Sequence, residues 1–205
     1  MIIKVCGMRE PDNIRAVEQL GTDWMGFILY NRSPRFVSRT PEYLPVSCRR
    51  VGVFVNATPA YLYNKVKELR LDIVQLHGHE SPLLCAELRQ YGLTVVKAFP
   101  VESEKDLELT VPYEHCCDYF LFDKRVSTFG GSGQSFPWNV LDAYQASVPF
   151  LLSGGLSPDS LAALRMFHHP RWAGIDLNSC FETAPGVKDI EALRRFIRSF
   201  RDSTL

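Results

Sequence analysis

The hydrophobic positions of the chain fall into eight short runs that predict buried β-strands. Each run is rich in β-branched or aromatic residues, and successive runs begin 21 to 31 residues apart. Runs of this length and composition are typical of strands buried on both faces. They lie at residues 2–6, 24–30, 51–55, 73–77, 94–99, 119–123, 150–153 and 174–178.

Amphipathic patterns between most of these runs predict helices. The clear ones cover residues 11–20, 59–69, 82–91, 161–167 and 189–200, the last with its apolar residues at helical spacing. Three further helices are predicted less well. Residues 40–47 contain two prolines, and residues 101–114 and 139–145 are only loosely periodic.

A strand followed by a helix, repeated eight times, predicts parallel strands joined by right-handed crossovers. Eight such units close into a (β/α)8 barrel, so we expect one α/β domain over residues 1–205, near the minimal size for this fold. A doubly wound open sheet is the alternative arrangement of the same elements.

The charge balance limits the classes of binding partner that we expect for this chain. Lys and Arg total 23 and Asp and Glu total 23, so no overall field favours nucleic acid or an anionic membrane surface. No apolar run approaches the roughly 20 residues that span a bilayer, and the first residues form a strand pattern without a basic leader. These features predict a cytoplasmic protein without nucleic-acid or membrane partners.

The cysteines are predicted to be free thiols, mostly in the core. They show no CxxC motif and no Cys/His ligand spacing, which argues against a zinc site and against disulfides. They are Cys6, Cys48, Cys85, Cys116, Cys117 and Cys180.

The segment after the seventh run predicts a phosphate site. Gly154 and Gly155 let the backbone approach an anion, and a helical pattern opens shortly afterwards. The eighth run ends in residues 176–179, and neighbouring strand ends seven and eight form the phosphate site of many (β/α)8 barrels. The alternative is that the two glycines only form a tight turn.

The other strand ends carry groups suited to acid–base chemistry. Cys6 ends the first run and is either a nucleophile, a base or a packed thiol. Lys4 shares its face with Cys6, and Asp176 on the neighbouring eighth strand is placed to pair with it, so we expect a structural Lys4–Asp176 pair. Asp123 follows an aromatic run, a setting that suits a general acid, although it can equally cap the next loop.

Two further strand ends offer binding groups. Arg35 follows Pro34, and its guanidinium can grip a carboxylate in two places, a role that Arg32 could share. His77 is expected to support the site rather than act as a base. The glycine-rich residues 127–138 predict a loop that closes over a ligand, or a passive linker.

Taken together, motifs along almost the whole chain resemble the phosphoribosylanthranilate isomerase family. They are Lys4-Val5-Cys6-Gly7, Ser33-Pro34-Arg35, Val51-Gly52-Val53-Phe54, Val74-Gln75-Leu76-His77-Gly78, Asp123, Gly130-Gly131-Ser132-Gly133 with Phe136 and Trp138, Leu152-Ser153-Gly154-Gly155-Leu156 and Pro185-Gly186-Val187-Lys188-Asp189. Each motif is modest alone, whereas their joint order and spacing are specific.

The resemblance implies an Amadori rearrangement of a small phosphosugar without metal or organic cofactor, in tryptophan biosynthesis. It implies that Asp123 is the general acid and Cys6 the base, that Arg35 binds the anthranilate carboxylate, and that Gly154, Gly155 and Ser179 hold the phosphate. We also predict that His77 and Asp176 contribute to substrate binding. A monomer and a homodimer are both compatible with the sequence.

The chain departs from the family pattern after Ser179, where Cys180 stands in place of the expected glycine and predicts a narrower phosphate cradle. Other phosphosugar barrels are the alternatives. A ProFAR-type isomerase resembles this chain but has an aspartate where Cys6 stands, and indoleglycerol phosphate synthase relies on catalytic lysines. A barrel that binds phosphate ligands without turnover is the third alternative.

Overall fold

Eight parallel strands close into a barrel in the order of the chain. The computed structural model describes residues 1–124 and 138–202. The strands are β1 (Ile2–Val5), β2 (Trp24–Ile28), β3 (Arg49–Phe54), β4 (Ile73–Leu76), β5 (Thr94–Val101), β6 (Tyr119–Lys124), β7 (Phe150–Leu152) and β8 (Trp172–Leu177). Strand β8 pairs with β1, with Asp176 opposite Lys4. The predicted barrel is therefore confirmed, and the open sheet is wrong.

Helices cover the outside of the barrel. They are α1 (Pro11–Glu18), α2 (Pro59–Glu68), α3 (Pro82–Gln90), α4 (Leu161–Met166) and α5 (Ile190–Asp202). The first three have proline in their first turn, where its missing N–H costs no hydrogen bond. Thr58 and Ser81 cap α2 and α3 by accepting a backbone N–H. Among the described residues, no helix is long and apolar enough to cross a bilayer.

Two of the weakly predicted helices form as 3₁₀-helices rather than α-helices. They cover Glu104–Tyr113, which contains Pro112, and Trp138–Ala143. Short 3₁₀ segments at Pro158–Ser160 and Ser179–Phe181 follow β7 and β8. A small hairpin of β9 (Glu182–Ala184) and β10 (Val187–Lys188) then leads into α5.

The helix predicted at 40–47 does not form. Two prolines break the segment, and the carboxylate of Glu18 on α1 binds the backbone that a helix would have satisfied internally. Glu18 accepts the N–H groups of Val46 at 2.6 Å and Ser47 at 2.5 Å, together with the Ser47 hydroxyl at 2.7 Å. This prediction was wrong because one buried carboxylate holds the segment as a loop against α1.

The barrel separates two apolar layers. The interior holds mostly aliphatic side chains, including Val51, Val96 and Leu151, together with the ring of Trp24. The larger layer lies between the strands and the helices. All six cysteines are free, as predicted, and four of them are buried: Cys6 on the interior side, and Cys85, Cys116 and Cys117 in the outer layer.

Candidate active site

A buried ion pair inside the barrel supports the site. Lys4 Nζ lies 2.8 Å from Asp176 Oδ2, and the two side chains are 1% and 6% exposed. Burial acts to lower the pKa of Lys4, but the neighbouring Asp176 and Cys6 outweigh burial and raise it, so Lys4 stays protonated. The predicted pair is confirmed. Asp176 Oδ1 is buried and has no hydrogen-bond partner in the described part of the chain.

Removing one member of this pair is expected to be strongly destabilising. Lys4→Met leaves the Asp176 carboxylate buried without its cation, which should lower the free energy of unfolding by about 3–5 kcal/mol. Urea unfolding measures the change. Arg194→Met is the matched control, because it breaks an exposed pair with Glu191 within α5 and should cost less than about 1 kcal/mol. Equal losses in the two variants would contradict the assignment of Lys4.

The Cys6 thiol sits at the end of β1 and is 3% exposed. Burial raises its pKa, opposed chiefly by the ammonium group of Lys4, which hydrogen-bonds the thiol, and also by that of Lys188. Gly26 on β2 makes room for the sulfur, since a Cβ there would lie 2.7 Å from Cys6 Sγ. Burial and the nearby Asp176 carboxylate outweigh the two cations, so the pKa of Cys6 is raised.

Asp123 and His77 meet across the rim, at the ends of β6 and β4. Asp123 Oδ2 lies 3.3 Å from His77 Nε2, and Asp123 Oδ1 accepts the Lys124 N–H at 2.8 Å. Gln75 Nε2 lies 3.0 Å from His77 Nδ1 and fixes the ring. The Asp123 side chain remains 28% exposed, so a ligand in the barrel mouth can reach it. His77 therefore contacts Asp123 directly, and its supporting role stays a prediction.

Arg35 is held by a carboxylate that sequence reasoning missed. Glu182 on β9 accepts Arg35 Nε at 2.9 Å and Arg35 Nη2 at 2.6 Å, and it accepts Lys188 Nζ at 2.6 Å. Burial acts to raise the pKa of Glu182, but these two cations outweigh it and lower the pKa. Lys188 also donates to Asn178 Oδ1 at 2.8 Å. The only sequence signal was the charge of Glu182 and Lys188 around the turn at Gly186.

A glycine lets this cluster pack against the end of β1. Gly7 has a φ of +77°, and a Cβ there would lie 2.7 Å from Asn178 Oδ1 and 2.8 Å from Arg35 Cδ. The Cys6 strand end, the Arg35 loop and the end of β8 therefore lie in direct contact.

The predicted phosphate residues follow β7 and β8, which are neighbours in the barrel. Gly154 and Gly155 have φ values of +80° and +77°, and within the described residues their N–H groups have no protein acceptor. A Cβ on Gly154 would lie 2.6 Å from Asp123 Oδ1, so only glycine fits beside the acid. Ser179 is exposed at the start of its 3₁₀ turn, and Cys180 packs partly buried against the outer layer.

Most of the loop that we predict to close over a ligand, residues 127–138, lies outside the described residues. Residues 125–137, which include Gly130, Gly131, Gly133 and Phe136, lie outside the described residues. Trp138, the last residue of that motif, is buried, and its ring packs edge-on against Phe167 at a centroid distance of 5.9 Å.

Comparison with known proteins matches this arrangement along nearly the whole chain. The family model for N-(5'phosphoribosyl)anthranilate (PRA) isomerase matches residues 3–199. The N-(5'-phosphoribosyl)anthranilate isomerase of Phocaeicola vulgatus is 55% identical over 201 residues, which are 98% of each chain.

Solved structures agree with the sequence match. A phosphoribosyl anthranilate isomerase in complex with reduced 1-(o-carboxyphenylamino)-1-deoxyribulose 5-phosphate is 29% identical, with a TM-score of 0.81 over 98% of this chain and all of that one. Monomers generated from the dimeric enzyme of Thermotoga maritima are 27% identical, with the same TM-score and coverage. With a family match across residues 3–199 and a relative that is 55% identical over 98% of each chain, the chain belongs to the N-(5'-phosphoribosyl)anthranilate isomerase family.

Proposed function

We propose that Asp123 and Cys6 carry the two proton transfers of the family's Amadori rearrangement at this rim. The reaction converts N-(5-phosphoribosyl)anthranilate to 1-(2-carboxyphenylamino)-1-deoxyribulose 5-phosphate, a step of tryptophan biosynthesis. The assignment rests on one observation: the two groups differ in their exposure to solvent and in the charges around them. The Asp123 side chain is 28% exposed beside His77, whereas the Cys6 thiol is buried, and the positive charges of Lys4 and Lys188 act to lower its pKa.

In the first step Asp123 donates a proton to the ribose ring oxygen. The C1–O bond breaks, and the nitrogen lone pair forms a Schiff base with C1. The contacts of Asp123 with His77 and with the Lys124 N–H keep the carboxyl group in one orientation, so its proton reaches one atom of the substrate.

In the second step the Cys6 thiolate removes the proton from C2. The electron pair of the C–H bond moves to the C1–C2 bond and gives an enolamine, which tautomerises to the ketone. A thiolate in a buried site needs compensating positive charge, and Lys4 and Lys188 supply it. Asp176 holds Lys4 in place, and we assign its Oδ1, which has no hydrogen-bond partner among the described residues, to a substrate hydroxyl.

Arg35 binds the anthranilate carboxylate through the part of its guanidinium that Glu182 leaves open. Glu182 bonds to Nε and Nη2. Nη1 makes no such bond to Glu182 and is available to a second carboxylate. Glu182 therefore acts as a positioning residue. The N–H groups of Gly154 and Gly155 hold the phosphate, with Ser179 as a further ligand.

Replacing Arg35 by lysine is expected to weaken substrate binding more than the chemical step. Lysine keeps the charge but cannot bind Glu182 and a substrate carboxylate through one planar group, so KM should rise about 10–100-fold with a smaller change in kcat. Steady-state kinetics measure both constants. Arg32→Lys is the matched control, because Arg32 is an exposed arginine of the same loop. A similar rise in KM for both variants would remove Arg35 from this role.

A turnover assay tests the proposal as a whole. Freshly generated phosphoribosylanthranilate should lose its anthranilate fluorescence rapidly in the presence of the purified protein. Binding of the substrate without this loss would instead support the phosphate-binding barrel. The oligomeric state, monomer or homodimer, stays a prediction that sedimentation can decide.

A further inference from the structure

Three thiols that the isomerase site does not use meet in the outer layer of the barrel. Cys85 lies in the first turns of α3, and Cys116 and Cys117 lie between the 3₁₀-helix Glu104–Tyr113 and strand β6. Their sulfur atoms all lie within 4.8 Å of one another, and all three side chains are buried. Three potential ligands from two chain segments therefore share one small volume.

A buried cation shares the outer layer with this thiol cluster, defined as Cys85, Cys116 and Cys117. Lys97 on β5 is 2% exposed and faces the outer layer, where Nζ lies 5.8 Å from the centre of the Tyr113 ring. Its ammonium donates to the carbonyls of Leu76 at 3.1 Å and Gly78 at 2.8 Å, and it lies 3.4 Å from the Glu80 carboxylate. The positive charge of Lys97 acts on the Cys85 thiol.

The thiol of Cys116 is also tied to the backbone of its own segment. Its sulfur donates to the carbonyl of Tyr113 at 3.4 Å, which holds it on the side of Cys85 and Cys117. Purely apolar packing of cysteine does not require three thiols from two chain segments in one small volume.

We propose that the thiol cluster is a binding site for a thiophilic metal ion, either monovalent copper or a divalent ion of the zinc group. Thiolate ligands select these ions. A metal–sulfur bond of about 2.3 Å in a planar three-sulfur site places the sulfurs about 4 Å apart, so the cluster needs to contract by less than about 1 Å.

Binding leaves the site with a net negative charge. Each cysteine loses one proton to solvent, so three thiolates with a divalent ion carry one net negative charge, and with a monovalent ion two, near the buried Lys97–Glu80 ion pair. The bound ion would tie α3 to the turn that precedes β6 and would stabilise the native fold.

Cadmium ion is the probe, because its bonds to thiolates give an ultraviolet charge-transfer band. The protein is reduced, freed of metal and carries Cys6→Ser, so that the active-site thiol does not contribute. We expect the band to saturate at one equivalent and the unfolding midpoint to rise. Adding Cys116→Ser should lower the affinity at least tenfold, whereas adding Cys48→Ser, at a half-buried cysteine outside the cluster, should leave it unchanged.

Competition separates the two kinds of ion, since displacement of cadmium by zinc supports the zinc group and displacement only by monovalent copper supports copper. Absence of the band, or an equal effect of Cys48→Ser and Cys116→Ser, would overturn the proposal. Circular dichroism checks that each variant is folded. If Cys116→Ser is unfolded, Cys85→Ala replaces it, and a cadmium-dependent rise in the midpoint of that variant equal to the parent's would also overturn the site.

Discussion

Asp123→Asn is expected to lower kcat by about 10²–10⁴-fold while leaving product binding within a few-fold of the wild type. The asparagine amide keeps the shape of the side chain and can still accept the Lys124 N–H, but it has no proton to give to the ribose ring oxygen. The ring then opens only as fast as water or a weaker acid allows. Because the substrate contacts at Arg35 and the glycines are untouched, the loss belongs to the chemical step.

Steady-state kinetics and calorimetric titration with a reduced product analogue measure the two effects. Asp118→Asn is the matched control. Asp118 precedes the same strand at the opposite end of the barrel, where it accepts the Val95 N–H at 2.8 Å and pairs with Arg89 at 3.0 Å. The control should lose some stability and keep its kcat. If Asp123→Asn instead loses binding and folding stability together, Asp123 is structural and the acid must be sought elsewhere.

The barrel could be predicted because local patterns and closure agree. Short apolar runs followed by amphipathic helices predict parallel strands, and closure makes the first strand a neighbour of the eighth. The Lys4–Asp176 pair followed from that closure and from the side-chain alternation of a strand. The segment 40–47 failed because Glu18, far away in the sequence, binds its backbone. A side chain from another element decided its conformation.

Apart from the Lys4–Asp176 pair, the candidate site could be predicted as single residues but not as contacts. Cys6 and Asp123 were candidates because they end predicted strands, and Arg35 because it lies on the loop after one, where a (β/α)8 barrel places its chemistry. The bonds from Glu182 to Arg35 and Lys188 depend on how the hairpin after β8 folds back over the rim. The thiol cluster could not be predicted from the sequence for the same reason, since Cys85 and Cys116 meet only after α3 packs on the barrel.

Cys6→Ser is expected to lower kcat by about 10²–10⁴-fold, because a serine hydroxyl stays protonated where a thiol can ionise. The reaction needs the deprotonated thiol, so the activity of the wild type should rise with pH. Burial raises the pKa of Cys6 above its usual value, and the rise in kcat/KM should therefore extend into the alkaline range. Cys6→Ser should lose this limb, whereas Cys48→Ser, the control, should keep it.

The cations that act on Cys6 provide a second, independent test of the same prediction. Lys188 acts to lower the pKa of the thiol, so Lys188→Met should move the alkaline limb to still higher pH, and raising the pH should restore part of the lost activity. A residue that only supported the fold would lower the whole profile without moving its limb. If Lys188→Met leaves the limb in place, or if Cys6→Ser retains it, the base is another group, and the buried thiol serves only to pack the end of β1.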